Sequence, residues 1–204
     1  QLSKLLGYSS ISSMLLKTKM AKSSKEVSPF LSKLTKKAKK SALSDINDIN
    51  VIAKELNISK VKPWDIPYLS EKLKKRRFSI TDEEIKEYFP INNVLHGLFN
   101  ICKRIYSLNI IETNASIWHE DVRFFEIYNE EKKLVGSFYL DLYARKNKRG
   151  GAWMDEAISK YRFMQEEENP VAYLTCNFTP PSKGNAYLTH DEVITLFHEF
   201  GHGL

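Results

Sequence analysis

Apolar residues recur every three or four positions over much of the first 108 residues, which is the spacing of one face of a helix. Residues 29–42 and 45–56 follow this pattern and predict two helices. The run Thr-Asp-Glu-Glu at residues 81–84 is a capping box, whose side chains satisfy the first free backbone N–H groups of a helix. That helix is predicted to continue towards Phe89 and to end at Pro90.

A further amphipathic helix is predicted over residues 92–108. Its expected apolar side consists of Val94, Leu95, Leu98, Ile101, Cys102 and Ile105. We therefore expect residues 1–118 to form a helical region.

The pattern changes after Trp118. Residues 122–129 alternate between apolar and polar positions, and residues 134–142 are rich in β-forming residues, so the two segments predict a β-hairpin around a polar turn. Residues 171–178 predict a third strand, and residues 189–204 predict a last helix. The predicted fold class is mainly α with a small antiparallel β-sheet, with the sheet and the last helix in residues 119–204.

Composition narrows the class of protein. Of the 204 residues, 42% are hydrophobic, which is enough for a packed core. The two cysteines, Cys102 and Cys176, make no disulfide framework and favour a reducing compartment. No apolar run approaches the roughly 20 residues that cross a bilayer, and residues 1–10 lack the pattern of a signal peptide. These features predict a cytoplasmic protein without a membrane partner.

Positive charge is concentrated at the start of the chain. The net charge is +6, and residues 1–75 hold 16 Lys or Arg against six Asp or Glu. The lysine-rich residues 33–40 are compatible with a nucleic-acid patch. A solvated helix face explains them more simply, so we do not expect a nucleic-acid partner.

The last predicted helix carries the candidate chemistry. Thr189 and Glu192 form its capping box, and His198 and His202 lie four residues apart, which places both imidazoles on one face of the helix. Glu199 lies about 100° around the helix from His198. The absence of a side chain at Gly201 is expected to let another segment pack close behind these residues.

This pattern has two interpretations. Two neutral imidazoles with a third ligand and one open position are typical of catalytic zinc, and the adjacent Glu199 would then be the general base and later the general acid. Alternatively, the helix is buried and both histidines are hydrogen-bonded inside a core. The burial of three ionisable groups so close together would be costly without a metal, which favours zinc.

The residues of this helix, THDEVITLFHEFGHGL, resemble the zinc helix of the thimet oligopeptidase family of metallopeptidases. Four upstream segments carry the same resemblance: DVRFFE from residue 121, GSFYLDLYAR from residue 136, KRGGAWMD from residue 148 and PVAYLTCNF from residue 170. Pro63-Trp64-Asp65 and Lys103-Arg104-Ile105-Tyr106 fit more weakly, so the resemblance covers roughly residues 28–204. It implies a zincin-like, helical, two-lobed and clam-shaped metalloendopeptidase that cuts short peptides in the cytosol.

The resemblance also implies a ligand set. His198 and His202 would hold one Zn²⁺, Glu199 would be catalytic, and the third ligand would be a glutamate on a later helix. That glutamate, a substrate loop bearing tyrosine and glycine, and a long N-terminal helical lobe are missing from this chain. We therefore expect an internal fragment with weak zinc binding and little activity. A monomer is the default prediction, and the sequence leaves the oligomeric state open.

Substrate binding is predicted at the strand before the zinc helix. Peptidases commonly add an extended peptide to an exposed sheet edge, which points to Ala172, Cys176, Asn177 and Phe178. An ordinary internal strand is equally compatible with this pattern. Gly150 and Gly151 either let a peptide approach closely or form a turn. A non-catalytic fragment that binds peptides at the sheet edge, or acidic partners through its basic half, is the alternative function.

Overall fold

A computed structural model of the chain describes residues 1–164, 166–181 and 186–204. The chain divides into two compact units, Gln1–Ser79 and Ile80–Leu204. Among the described residues, no helix combines the length and the apolar character that crossing a membrane requires.

The first unit is helical. Its elements are α1 (Leu2–Leu5), α2 (Ile11–Leu16), α3 (Ser24–Glu55), a 3₁₀ turn (Pro63–Asp65) and α4 (Ile66–Phe78). Helices α3 and α4 pack together through a small core of Ile49, Ile52, Ala53 and Leu69. The prediction of two helices over residues 29–56 is wrong, because Leu43 and Ser44 do not break a helix and α3 continues through them for 32 residues.

The second unit holds the sheet and the remaining helices. Its elements are α5 (Asp82–Lys86), α6 (Ile91–Tyr106), β1 (Asn109–Thr113), β2 (Arg123–Tyr128), β3 (Leu134–Tyr143), β4 (Trp153–Ile158), β5 (Tyr161–Phe163), β6 (Glu166–Glu168), β7 (Val171–Phe178) and α7 (His190–Gly203). The capping box at Thr81 is confirmed, although α5 ends at Lys86, before the predicted Phe89. Strand β1 lies within residues 1–118, which were predicted to be helical. Strand β4 was not predicted either.

The main sheet is mixed rather than antiparallel. Its strand order is β1-β2-β3-β7-β4, and the predicted hairpin of β2 and β3 is confirmed. Strand β7 runs parallel to β3 and antiparallel to β4. The antiparallel prediction is wrong because the chain leaves β3, forms β4 and the separate β5–β6 hairpin, and returns beside β3 in the same direction. The alternation of apolar and polar residues indicates which residues form a strand, but not which other strand that strand pairs with.

One aromatic cluster joins α6 and α7 to the sheet. Phe99 of α6 packs edge-on against Phe125, with ring centroids 5.2 Å apart, and Phe200 of α7 packs edge-on against Phe138 at 5.5 Å. Both helices are therefore anchored in one hydrophobic core with the sheet.

The predicted apolar side of α6 is only partly buried. Val94, Leu95, Leu98 and Cys102 lie in the core, whereas Ile101 and Ile105 are exposed. The predicted helix is confirmed, and the described elements of the same unit leave its last turns uncovered on that side.

Candidate active site

Helix α7 is fixed at its start and along its buried side. The Thr189 hydroxyl accepts from the backbone N–H of Glu192 at 3.2 Å, and the Glu192 carboxylate accepts from the backbone N–H of Thr189 at 2.8 Å. The predicted capping box is thus confirmed. Leu196 and Phe200 are buried in the core and set the rotation of the helix, which turns His198 and His202 outwards.

The two histidines come together on the exposed side of α7. Their Nε2 atoms lie 3.1 Å apart, and their ring centroids lie 4.7 Å apart. Two imidazole nitrogens that share one tetrahedral zinc, each at 2.0–2.1 Å, are about 3.3 Å apart. The arrangement therefore fits a divalent metal with little movement, and it is not the closed core of the alternative interpretation.

The described residues offer two donors rather than three. Among them, no group of three or more His, Cys, Asp or Glu side chains is placed to hold a metal ion. A zinc site with three protein ligands would thus need a donor from other residues, in line with the ligand set that the resemblance implies.

Glu199 differs from the two histidines in its surroundings. Its side chain points towards the sheet and is only 8% exposed. Within the described part of the chain, no hydrogen bond or ion pair occupies its carboxylate. The carboxylate is therefore free to accept a proton, and it lies near Cys176, whose thiol senses its charge. A Cβ added at Gly201, by contrast, would meet no other described segment within 4 Å.

The close approach expected at Gly201 occurs at Gly203 instead. A Cβ at Gly203 would lie 2.7 Å from Cδ2 of Leu174 in β7, so the last turn of α7 rests directly on that strand. The expectation at Gly201 is wrong because the core residues turn Gly201 towards solvent.

The chemistry of Cys176 follows from its burial. Its side chain is fully buried, and this burial, with a smaller contribution from the charge of Glu199, raises the pKa of the thiol to about 12. Cys102 is also buried, and burial raises the pKa of its thiol. Both groups are therefore protonated and inaccessible at neutral pH.

We expect neither cysteine to react with maleimide in the folded chain at pH 7.5. An exposed thiol with an ordinary pKa of about 8.5 would be about one-tenth thiolate at this pH and would react readily. Mass spectrometry after brief labelling should find no adduct in native protein and two adducts in urea. Rapid native labelling of Cys176 would contradict the buried position of β7.

The four predicted substrate residues lie on an internal strand. Strand β7 lies between β3 and β4, so its backbone cannot accept a further strand, and the internal-strand interpretation holds. Cys176 and Phe178 are buried, whereas Ala172 and Asn177 are half-buried. The role of these four residues in substrate binding stays a prediction. The nearest edge strand is β4, which contacts α7.

A buried ionic cluster at the end of β3 was not predicted from the sequence. The Asp141 carboxylate accepts from both terminal nitrogens of Arg145 at 2.6 and 2.8 Å, from Lys148 Nζ at 2.7 Å and from the Trp118 indole at 3.1 Å. Burial alone would raise the pKa of Asp141, but the hydrogen bonds from Arg145 and Lys148 and the charge of Lys148 lower it to about 2. The available signal was a single aspartate within the apolar run Leu140–Leu142, followed by basic residues four and seven positions later.

The family model described as Peptidase family M3 matches residues 1–204. The chain belongs to peptidase family M3. This confirms the resemblance drawn from α7 and the segments upstream of it.

Named relatives of this M3 chain are peptidases. It is 49% identical over 208 residues to oligopeptidase A of Escherichia coli K12, a match that covers all of this chain and 31% of the relative. Oligopeptidase A of Haemophilus influenzae is 47% identical over 209 residues, covering all of this chain and 30% of the relative. The probable cytosolic oligopeptidase A of Arabidopsis thaliana is 35% identical over 212 residues, covering 98% and 30%. The M3 chain spans about 30% of the length of these relatives.

Proposed function

We propose that this chain is the metal-binding segment of a zinc endopeptidase that hydrolyses short peptides, as the name oligopeptidase A describes for its relatives. The observation that carries the proposal is the pair of outward-facing imidazoles on α7 beside the nearly buried Glu199 carboxylate, which has no partner among the described residues. Two exposed imidazoles beside a nearly buried carboxylate do not stabilise a helix, whereas each of the three groups has a role in metal-assisted hydrolysis.

The three groups have separate roles on neighbouring faces of α7, about 100° apart. His198 and His202 would hold zinc through their Nε2 atoms, with a glutamate from a later helix as the third ligand. Zinc, when bound, supplies the positive charge that makes water nucleophilic at neutral pH and polarises the scissile carbonyl. Glu199 would take the proton from water and return it to the leaving amine. Its near-burial limits competing hydrogen bonds from solvent.

The wider setting belongs to the same proposal. We assign residues 119–204 to the catalytic domain of a zincin-like, two-lobed, clam-shaped fold, and residues 1–118 to its helical part apart from strand β1, which pairs with β2 in the main sheet. Two buried free cysteines and a relative named as probably cytosolic support a cytoplasmic enzyme. As a separate 204-residue chain it would bind zinc weakly and turn over little peptide.

Strand β4 is the candidate for peptide binding by edge addition. It pairs with β7 along one side and, among the described strands, has no partner along the other. Edge addition uses backbone hydrogen bonds, so it suits an enzyme that accepts many peptide sequences. Ala172, Cys176, Asn177 and Phe178 would shape this site from the neighbouring strand.

The test is the metal content of a full-length enzyme that carries these residues. We expect about one zinc per chain by elemental analysis, with loss of most of it in His198→Ala. The matched control is His96→Ala, which changes an exposed histidine on α6 and should leave the zinc content unchanged. Absence of zinc from the parent enzyme, with salt-sensitive binding of nucleic acid or acidic proteins, would instead support a non-catalytic binding function of the basic half.

A further inference from the structure

The connection between β3 and β4, residues 144–152, is held at two points. The first is Lys148, whose ammonium group is almost fully buried. It donates to the Asp141 carboxylate at 2.7 Å, to the Asp141 carbonyl at 3.0 Å and to the Tyr143 carbonyl at 2.8 Å. All three donor positions of the ammonium group are therefore used, and the middle of the connection is tied to the end of β3.

The second point is Asn177 of β7. Its side-chain amide donates to the Arg149 carbonyl at 2.7 Å and to the Gly151 carbonyl at 2.6 Å. One NH₂ group has two hydrogens, so each carbonyl receives its own hydrogen bond. Asn177 thus holds two backbone carbonyls on either side of Gly150.

The register explains why a side chain is needed here. Backbone pairing of β4 with β7 starts at Trp153, which lies opposite Thr175. Continuing the antiparallel register by two residues places Gly151 opposite Asn177. Gly151 has a φ of +94°, a conformation that turns the chain away from the strand and that other residues rarely adopt. The Asn177 side chain therefore continues the ladder at the point where the backbone leaves it.

The two hydrogen bonds from Asn177 hold the chain directly before β4, whose outer edge is unpaired among the described strands. An edge strand that moves must be ordered when a peptide adds to it, and that cost weakens binding. A start of β4 that is already held extended removes part of this cost. The same two hydrogen bonds explain why the side chain of Asn177 is not available for direct contact with a substrate.

We propose that Asn177 is a positioning residue for peptide substrates, because its amide fixes the carbonyls of Arg149 and Gly151 and thereby holds the start of the β4 edge ready for an incoming peptide. This inference rests on the proposed function, since it takes the β4 edge as the peptide-binding strand. It assigns Asn177 a role through the backbone of a neighbouring strand rather than by contact.

The test measures peptide binding separately from hydrolysis. In a full-length enzyme carrying Glu199→Gln to prevent cleavage, fluorescence anisotropy gives the Kd of a labelled unstructured decapeptide. Adding Asn177→Ala should raise this Kd by roughly ten-fold, about the loss expected for two hydrogen bonds that preorganise a binding edge. Asn177→Asp, which places a carboxylate against two carbonyls, should raise it at least as much. The matched control is Asn114→Ala, in the exposed β1–β2 connection, which should change the Kd by less than two-fold.

Readouts on the active enzyme separate positioning from a general structural role. With Glu199 intact, Asn177→Ala should raise KM by a similar factor and leave kcat and zinc content nearly unchanged. A Kd unaffected by Asn177→Ala, a parent enzyme that binds no peptide, or a fall in kcat together with zinc would each overturn the inference. The proposed function fails separately, if the unmodified enzyme shows no zinc-dependent hydrolysis.

Discussion

Replacing Glu199 by glutamine in a full-length enzyme is expected to lower kcat by about 10²–10⁴-fold, or roughly 3–5 kcal/mol of transition-state stabilisation. Glutamine has nearly the same shape but cannot accept the proton of water. The imidazoles of His198 and His202 are unchanged, so the zinc content should be retained. Steady-state hydrolysis of a fluorogenic peptide and elemental analysis of the same sample check both parts.

Glu192→Gln is the matched control for this change. It makes the same chemical substitution on the same helix, and glutamine still serves in the capping box with Thr189. Its kcat should stay within a few-fold of the parent value. Near-normal turnover by Glu199→Gln would refute the assignment of the general base.

Replacing Lys148 by methionine is expected to destabilise the fold by about 3 kcal/mol, because it leaves the Asp141 carboxylate buried with one cation fewer. Lys148 and Asp141 are 5% and 6% exposed at their side chains, so water cannot replace the lost partner. Lys146→Met, two positions away at an exposed lysine, is the control and should change stability by less than about 0.5 kcal/mol. Urea unfolding measures both. Equal stability of the two variants would show that Arg145 and Trp118 suffice for Asp141.

The same cluster predicts a pH dependence. The pKa of Asp141 is about 2 in the folded chain and about 3.8 unfolded, so its contribution to stability is complete above about pH 4 and is lost as the pH falls towards 2. Burial lowers the pKa of Lys148 even beside Asp141. The pair therefore gains its stability through the Asp141 carboxylate, which accepts hydrogen bonds from three side chains. In Lys148→Met the pKa of Asp141 should rise, and acid unfolding should begin at a higher pH.

Local chemistry made α7 and its reactive groups predictable. The capping box depends on Thr189 and Glu192 alone, and the spacing of His198 and His202 guarantees a shared face in any helix. The β2–β3 hairpin was equally local, since two strand patterns around a polar turn pair with each other. The resemblance to a metallopeptidase family rested on these same segments, and family membership bears it out.

Pairing between distant segments was not predictable in the same way. Whether β7 is internal or an edge depends on where β4 returns after residues 144–152, and no periodicity records that. For this reason the substrate strand was expected at β7, whereas the available edge is β4. The burial of Asp141 likewise depends on Trp118, which lies 23 residues away in the chain.

The sequence by itself determined which side chains could do chemistry here, because the helical repeat fixes the spacing of His198, Glu199 and His202 along α7. Tertiary structure decided which of them face solvent and which face the sheet, since the burial of Leu196 and Phe200 sets the rotation of that helix. It also decided that the Asn177 amide binds the carbonyls of Arg149 and Gly151, because only the β4–β7 register brings Gly151 opposite Asn177.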